Sequence, residues 1–163
     1  MNGFRIAILT LSDKGARGER EDESGRILHQ MSASLGAVEH YEIIADEADL
    51  ITARLMEWCD GRELDLILTT GGTGVSPRDV TPQATQRILD YQIPGMAEAM
   101  RAASLVKTPH AMLSRALAGV RGQTLIVNLP GSPKAVRENF EVILPALPHA
   151  LAKLKGDPSD CAH

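Results

Sequence analysis

The fold of this chain is decided by the stretch LDLILTTGGTGVSPRDVTPQAT, which occupies residues 64–85. Its apolar first part, residues 64–70, is typical of a buried strand and passes directly into a loop with three glycines at residues 71–74. Thr81 and Pro82 then predict a helix, with the threonine as N-cap and the proline at the first helical position. A strand, a glycine-rich loop and a helix in this order are typical of an α/β sheet.

Two further strands, each followed by a helix, are predicted before this stretch. The strands are the isoleucine-rich run Phe4–Leu11 and the alternating run at residues 38–45. After each strand, apolar residues recur at helical spacing, and we expect the two helices to end at Gly36 and near Gly61. Their apolar faces consist of Ile27, Leu28, Met31 and Leu35 in the first helix, and of Ile51, Leu55 and Trp58 in the second.

The chain after residue 85 is predicted to add two helices and a hairpin. The run MLSRALAGVRGQTLIVNLPG, residues 112–131, reads as two strands joined at residues 121–122. The helices open at Pro94, with Met96, Met100 and Leu105 on one face, and at Ser132-Pro133, with interruptions expected at Pro145 and Pro148.

This order of elements predicts a three-layer α/β/α fold. The sheet is expected to be mostly parallel, with one antiparallel strand from the hairpin and helices on both faces. We expect a single domain over residues 1–156 and a loose C-terminal tail over residues 157–163. In such sheets ligands bind beyond the carboxyl ends of the strands, so the site is expected at that edge.

The composition excludes several classes of function. The 163 residues carry a net charge of −4 and only 3% aromatic residues, which argues against nucleic-acid binding. No apolar run is long enough to span a membrane, and the N-terminus has no signal-peptide pattern. Cys59 and Cys161 form neither a disulfide framework nor a metal cluster, and we expect free thiols in a reducing cytoplasm. The histidines show no zinc-type spacing.

The glycine loop is a candidate cradle for phosphate. Successive backbone N–H groups at a helix N-terminus attract anions, and Arg78 is able to add a charged fork. The loop is not a P-loop, and Pro77 stands where the dinucleotide fingerprint requires its third glycine. A tight turn that binds no ligand is an equally simple explanation at this point.

Two aspartates at the same edge favour a ligand. An acid beside a phosphate cradle repels phosphate unless a cation lies between them, and Mg²⁺ binds one or two carboxylates together with phosphate oxygens. Asp79 follows the third strand, and Asp46 follows the second. Together they predict a metal site for nucleotidyl or phosphoryl transfer, although each acid is also a candidate N-cap for the helix after it.

Two other junctions reach the same edge of the sheet. Ser12 and Asp13 follow the first strand, and the run LPGSPKAV places Gly131, Ser132 and Lys134 at a helix N-terminus. The second junction is another candidate anion cradle, and a capped helix start with a solvated lysine explains it equally well.

A resemblance to the MogA/MoaB family of molybdenum-cofactor biosynthesis is carried by the segments TTGGTGVSPRDVTPQAT, ADEAD, PGMAEAMR, AMLSRALAGVRGQTLIVNLPGSPKAV and the early SD…DESG. The family also includes domains of gephyrin and of plant cofactor proteins. The similarity covers residues 4–156, and its first segment is far more specific than a glycine loop alone. It implies a MogA/MoaB-like fold.

The resemblance also implies an activity, that of a molybdopterin adenylyltransferase. Such an enzyme uses Mg²⁺ and transfers AMP from ATP to the terminal phosphate of molybdopterin, giving adenylyl-molybdopterin and pyrophosphate. The family's catalytic, metal-binding acids fall on Asp46 and Asp79. Its nucleotide and phosphate site falls on Gly71, Gly72, Thr73 and Gly74, and its pterin-binding serine on Ser114, which residue chemistry alone does not single out. Ser12, Gly131 and Ser132 complete the expected substrate-binding set.

The resemblance further implies a homotrimer that hands its product to a molybdenum insertase, and the free cysteines predict a cytoplasmic location. A second hypothesis is a MoaB-like or gephyrin-like module that binds molybdopterin or acts as a scaffold with little or no turnover. The two acids favour the enzyme, because a pure pterin binder needs no metal carboxylates. A nicotinamide oxidoreductase is a third, weaker hypothesis, since the fingerprint fails at Pro77.

Overall fold

The structure of the chain, a computed structural model, describes residues 3–161. Strands and helices alternate through most of it. The strands are β1 (Phe4–Leu11), β2 (Gly36–Ile44), β3 (Leu66–Thr70), β4 (Tyr91–Gln92), β5 (Ala118–Arg121) and β6 (Thr124–Leu129). The α-helices are α1 (Asp13–Ala16), α2 (Glu23–Ser32), α3 (Ala48–Gly61), α4 (Thr81–Gln86), α5 (Pro94–Leu105), α6 (Pro133–Ile143) and α7 (Leu147–Leu154), with short 3-10 helices at Pro109–Leu113 and Leu144–Ala146.

The strands form a single six-stranded sheet in the order β2-β1-β3-β6-β5-β4. β2, β1, β3 and β6 are parallel neighbours, whereas β5 runs antiparallel to both β6 and β4. The predicted fold is therefore confirmed, including its one antiparallel strand. The carboxyl ends of β1, β2, β3 and β6 all lie at one edge.

Both faces of the sheet are covered by helices, because successive strand residues point to opposite sides. Ile6 and Ile8 face one core, and Ala7 and Leu9 face the other. The first core is completed by α2, α5, α6 and α7, and the second by α3 and α4. Of the described helices, none is both long and apolar enough to cross a membrane.

Several predicted boundaries were wrong because tertiary contacts decide them. The first predicted helix ends at Ser32, and Leu35 is buried in the turn that follows. Gly36 is the first residue of β2, where a side chain would overlap the backbone of Phe4. The glycine is thus required by strand packing and does not end the helix. Leu105 is 43% exposed, so it is not part of the buried face of α5.

Two short elements escaped prediction. The charged run after β1 contains the one-turn helix α1, which Ser12 caps by accepting a hydrogen bond from the Gly15 N–H. β4 has only two residues and pairs with β5. The predicted hairpin is confirmed for β5 and β6, but its first strand begins at Ala118, later than expected.

The proline-interrupted C-terminal helix is confirmed. α6 ends at Ile143, and a 3-10 turn containing Pro145 separates it from α7. The single domain over residues 1–156 and the loose tail over residues 157–163 remain predictions. Residues 162 and 163 lie outside the described residues.

Asn128 joins the centre of the sheet to α4. Its buried amide nitrogen donates to Thr69 Oγ1 at 3.0 Å and to Thr85 Oγ1 at 3.1 Å. Its side-chain oxygen accepts a hydrogen bond from the Leu117 N–H at 3.4 Å. Buried polar groups of this kind are costly when they lose their partners. The amide therefore fixes β3, β6 and α4 beneath the edge where the parallel strands end.

We expect Asn128→Leu to destabilise the protein by about 1–3 kcal/mol, because the leucine leaves buried polar groups without partners. Urea unfolding followed by circular dichroism measures the change. A variant that unfolds at the parental urea concentration, with the parental slope, would contradict the proposed importance of this amide.

Candidate active site

The segments that follow the four parallel strands enclose a cleft of about 630 Å³, which we call the carboxyl-edge cleft. It lies where ligands bind in sheets of this kind. Seven of the ten predicted site residues line it: Ser12 after β1, Asp46 after β2, Gly71, Gly72 and Asp79 after β3, and Gly131 and Ser132 after β6.

The glycines after β3 are required by the packing of the loop itself. Gly71 and Gly72 have φ values of 101° and 68°, in the left-handed region that favours glycine. A methyl group at Gly71 would overlap the carbonyl oxygen of Leu11, and one at Gly72 would overlap Thr81 Oγ1. The close neighbours of this backbone are therefore protein atoms. The glycines alone do not indicate a ligand, whereas the acids beside them do.

Thr81 has a different role from the predicted N-cap. It is the first residue of α4, Val80 precedes the helix, and no side chain caps it. The buried Thr81 hydroxyl instead donates a hydrogen bond to the carbonyl oxygen of Gly71 at 2.9 Å. Thr81 thus ties the start of the helix back to the end of β3.

Asp46 does not cap the helix that follows it. Glu47 precedes α3, and no side chain accepts a capping hydrogen bond there. Asp46 Oδ2 accepts a hydrogen bond from the Asp13 N–H at 3.0 Å. Oδ1 lies close to Gly72, 3.1 Å from where a methyl group on that residue would be. The N-cap explanation of this acid is therefore wrong, and its carboxylate lies in the cleft.

Asp79 does not cap α4 either. Its Oδ2 accepts a hydrogen bond from the Ser76 N–H at 3.0 Å and so closes the turn before the helix. A methyl group at Gly74 would lie 2.9 Å from the same oxygen, which explains the third glycine of the loop. Both predicted metal-binding acids are thus oriented by the backbone of neighbouring loops.

The electrostatics of Asp46 favour a nearby cation. Burial raises the pKa of Asp46 above its ordinary value, and the negative charges of Asp13 and Asp79 raise it further. A hydrogen bond from the Asp13 backbone and the positive charge of Arg78 act in the opposite direction. The ionised form of Asp46, which is the form that binds metals, is therefore less favoured than in a free carboxyl group, and a nearby cation would stabilise it.

The other charged residues around the cleft also favour the binding of a cation. Five carboxylates and one basic residue line it: Glu21, Asp22, Glu23, Asp46 and Asp79, with Arg20. Arg78, a predicted phosphate ligand, directs its guanidinium to Asp13, with nitrogen–oxygen distances of 2.9 and 2.8 Å. A bare phosphate would be repelled here, whereas a divalent cation would be attracted.

The donor set fits Mg²⁺ and does not fit a closed structural metal site. Among residues 3–161 there is no cluster of three or more histidine, cysteine or acidic side chains that could hold a metal ion. Asp46 and Asp79 offer hard carboxylate oxygens, and Mg²⁺ fills its remaining positions with water and substrate phosphate oxygens. A substrate that carries phosphates would complete such a site.

The serine and glycine positions of the carboxyl-edge cleft also have structural roles. Ser12 caps α1, and Ser132 caps α6 by accepting a hydrogen bond from the Ala135 N–H at 3.2 Å. The carbonyl oxygen of Gly131 accepts a hydrogen bond from the Ser24 hydroxyl at 2.7 Å. Lys134, predicted with this group, does not line the cleft. The capped-helix explanation thus holds for Ser132, which still borders the cleft.

The other three predicted site residues lie in a separate cleft. Thr73, Gly74 and Ser114 line a cavity of about 260 Å³ together with side chains from α5 and α6, which we call the Ser114 cleft. Ser114 follows the 3-10 helix and precedes β5, so its prediction as a strand residue was wrong. The glycine loop contributes to both clefts, with Gly71 and Gly72 in one and Thr73 and Gly74 in the other.

Arg115 contacts the loop between β3 and α4, which borders both clefts. This residue was not identified from the sequence. Its Nε donates to the carbonyl oxygen of Gly74 at 2.7 Å, and its Nη2 donates to that of Asp79 at 2.6 Å. Its N–H also donates to the carbonyl oxygen of Thr73. Arg115 therefore fixes the loop between β3 and α4, and its position next to Ser114 was the available signal.

Asp22 was also missed. It accepts hydrogen bonds from the Thr10 and Tyr41 hydroxyls, and it caps α2 through the Gly25 N–H. Both Thr10 and Asp22 line the carboxyl-edge cleft. The signal was an aspartate before the Ser-Gly pair of a helix start, a typical N-cap pattern.

The cysteines lie outside both clefts. Cys59 and Cys161 are free, as predicted. Burial raises the pKa of the Cys59 thiol to about 12, which keeps the thiol protonated near neutral pH.

The chain is similar to several known proteins. Residues 7–149 match the family model described as "Probable molybdopterin binding domain". The chain is 43% identical to the molybdopterin adenylyltransferase of Helicobacter pylori strain J99, over 96% of this chain and 91% of that protein. It is 44% identical to gephyrin of Dictyostelium discoideum over 94% of this chain but only 23% of gephyrin. The crystal structure of the molybdopterin biosynthesis enzyme MoaB from Thermus thermophilus is 53% identical, with a TM-score of 0.89 over 96% of this chain and 99% of that one.

We expect Gly71→Ala to be more destabilising than Gly122→Ala. Both glycines have positive φ, but a methyl group at Gly122 meets no atom within 4 Å. Gly122→Ala should cost about 1–2 kcal/mol from the backbone conformation alone. Gly71→Ala should cost roughly 1–3 kcal/mol more from overlap with Leu11. Equal losses in urea unfolding would show that the close packing at Gly71 is unimportant.

We expect Asp46→Asn to raise the melting temperature in metal-free buffer at pH 7. Because the folded-state pKa of Asp46 is raised, its ionised form opposes folding above that pKa, and the penalty disappears below the ordinary value of 3.8. The gain should therefore shrink as the pH falls towards 4.

Asp60→Asn is the matched control for this prediction. Arg121 lowers the pKa of Asp60, so ionised Asp60 favours folding, and the asparagine should lower the melting temperature at pH 7. Thermal unfolding of both variants across this pH range measures the two effects. A lower melting temperature for Asp46→Asn at pH 7 would contradict the argument.

Proposed function

The chain belongs to the MogA/MoaB family of molybdenum-cofactor biosynthesis, and we propose that it is a nucleotidyltransferase of that pathway, a molybdopterin adenylyltransferase. In the proposed reaction, AMP passes from ATP to the terminal phosphate of molybdopterin with the help of Mg²⁺. The products are adenylyl-molybdopterin and pyrophosphate. The 43% identity to the Helicobacter pylori enzyme, over nearly the whole of both chains, supports this assignment.

The observation that carries the proposal is the pair of acids at the carboxyl edge. Asp46 and Asp79 are the candidate N-caps of two helices, yet neither caps its helix. Both instead line a cleft in which acidic residues outnumber basic ones by five to one. ATP and molybdopterin phosphate are both anionic, so this cleft suits them only in the presence of a cation. A Mg²⁺-dependent phosphate reaction explains this arrangement.

In the proposed step, an oxygen of the terminal phosphate of molybdopterin forms a bond to the α-phosphorus of ATP. The bond between that phosphorus and the oxygen bridging to the β-phosphate breaks, and pyrophosphate leaves with the bonding electron pair. Mg²⁺, held by Asp46 and Asp79, would supply positive charge for the leaving pyrophosphate. Phosphate-group transfer is accelerated mainly by positioning and charge stabilisation, so no protein nucleophile is required.

The two clefts suggest where each substrate binds. We assign the ATP phosphates to the carboxyl-edge cleft, where Gly71, Gly72, Gly131, Ser12 and Ser132 surround the acids. We assign the pterin to the Ser114 cleft, with Thr73 and Gly74 at its border. The glycine loop lies at the border of both clefts, so the two reacting phosphates would meet beside it. The hydrogen bonds from Arg115 would keep this loop in place.

We also propose that the protein forms a homotrimer in the cytoplasm and passes its product to a molybdenum insertase. Exposed apolar side chains offer contacts for self-association, because a second copy that covered them would remove apolar area from water. They lie next to Gly74, Lys107 and Ser114 in the chain, and they are Val75, Leu105, Val106, Met112 and Leu113. A second copy would cover some of these side chains.

A molybdopterin-binding module without turnover is the second candidate. It is favoured by the 44% identity to Dictyostelium gephyrin, in which the matched region is less than a quarter of the protein. In that case the chain would bind molybdopterin and release no pyrophosphate from ATP.

The deciding measurement is pyrophosphate release from ATP and Mg²⁺, with and without molybdopterin. We expect molybdopterin-dependent release by the parent protein. Asp79→Asn should lower kcat by roughly 10²–10³-fold, the usual effect of removing one oriented electrostatic partner, and should leave molybdopterin binding unchanged.

Asp49→Asn is the control, since Asp49 is a fully exposed carboxylate outside both clefts. It should retain parental activity. Parental turnover by Asp79→Asn would refute the metal role of Asp79. Binding of molybdopterin by the parent without any pyrophosphate release would favour the binding module.

A further inference from the structure

We propose that Asp13 is a positioning residue that orients the metal-binding acids Asp46 and Asp79 before substrate arrives. The inference rests on the proposed metal role of those two acids. It extends that role to a residue that does not line the carboxyl-edge cleft.

Asp13 and Asp46 hold each other by reciprocal hydrogen bonds. The Asp13 N–H donates to Asp46 Oδ2, and the Asp46 N–H donates to Asp13 Oδ1, both at 3.0 Å. The two residues follow the neighbouring strands β1 and β2. Each carboxylate thus fixes the backbone of the other, and the rotation of Asp46 is restricted. Within residues 3–161 no group donates a hydrogen bond to Asp46 Oδ1, so this oxygen is left for a cation.

The same carboxylate reaches the segment after β3 through Arg78. Arg78 Nε donates to Asp13 Oδ2 at 2.9 Å, and Arg78 Nη2 donates to Asp13 Oδ1 at 2.8 Å. Arg78 directly precedes Asp79, whose carbonyl oxygen accepts a hydrogen bond from Arg115. The backbone of Asp79 is therefore held on both sides. Asp13 joins the loops that follow β1, β2 and β3.

The exposure of this ion pair indicates that it orients the loops and contributes little to the stability of the fold. The side chains of Arg78 and Asp13 are 58% and 26% exposed. Ion pairs this open to water contribute little to folding, because water screens them. A planar guanidinium with two parallel hydrogen bonds is nevertheless strongly directional. We therefore expect its loss to change metal binding far more than the melting temperature.

A second ion pair with the same geometry provides a control. Arg121 binds Asp60 through two hydrogen bonds of 2.9 and 2.8 Å, and neither residue lines the carboxyl-edge cleft. Asp60→Asn removes an equivalent ion pair away from the proposed metal. Any general effect of losing an arginine–aspartate pair should appear there too.

The experiment measures the dissociation constant of Mn²⁺, used alone as a probe for Mg²⁺, by electron paramagnetic resonance. Partners that orient metal ligands typically contribute 10–100-fold to affinity, so we expect Asp13→Asn to weaken Mn²⁺ binding by about 10–100-fold. Asp60→Asn should bind Mn²⁺ as the parent does. Both variants should show similarly small changes in melting temperature.

Three further variants separate the contacts of Asp13. Asp13→Ala should weaken Mn²⁺ binding more than Asp13→Asn, because asparagine keeps an oxygen that can accept from the Asp46 N–H. Arg78→Gln leaves both acids in place and should also weaken binding. Arg78→Gln combined with Asp13→Asn should be no worse than Asp13→Asn alone, since both remove the same ion pair.

The outcomes distinguish this proposal from the proposed function. Parental Mn²⁺ affinity in Asp13→Asn and Arg78→Gln would overturn the positioning role, even if the parent is an active adenylyltransferase. A parent that binds no Mn²⁺ would overturn both the metal premise and the positioning role. Weakened Mn²⁺ binding in a protein that never releases pyrophosphate would support the positioning role and reject the proposed activity.

Discussion

The loop after β3 can reach the carboxyl edge only because Gly71 presents no side chain to the carbonyl oxygen of Leu11. This contact joins the ends of two neighbouring parallel strands, β1 and β3, and it directs the chain towards Asp79. The Thr81 hydroxyl then holds the start of α4 against the same glycine. The loop that borders both clefts and leads to Asp79 therefore starts from this approach of one backbone to another.

The charges at this edge are arranged in two different ways. Asp13 is paired with Arg78, so its charge is compensated within the protein. Asp46 lies half-buried among other acids, and its pKa is raised. The charge of Asp13 is thus neutralised by an arginine, and Asp13 is proposed to orient its neighbours. Within the part of the chain that the structure describes, the carboxylate of Asp46 lacks such a positively charged partner. An enzyme that must bind a cation together with anionic substrates benefits from this contrast, because the cation relieves a repulsion in the free protein.

Much of this structure can be predicted from local sequence patterns. The rest depends on contacts between residues that are far apart in the sequence. The strand at Phe4–Leu11 and the acids at strand ends were predictable, because apolar runs and sheet topology are strong signals. β4 has too few residues to show a period, and the start of β2 at Gly36 depends on the backbone of Phe4. Ser114 was identified by family resemblance alone. Arg115 was not predicted, because its hydrogen bonds reach backbone atoms 36 and 41 residues away.

The order of strands in the sheet differs from their order in the chain, and this affects how the protein is made. β6 lies inside the sheet, between β3 and β5, yet among residues 3–161 it is the last strand along the chain. The segment after it supplies Gly131 and Ser132 to the carboxyl-edge cleft. A ribosome-bound chain that ends before residue 124 therefore already contains both proposed metal-binding acids but lacks one wall of the cleft. Substrate binding in the complete cleft thus has to await synthesis of the segment after β6.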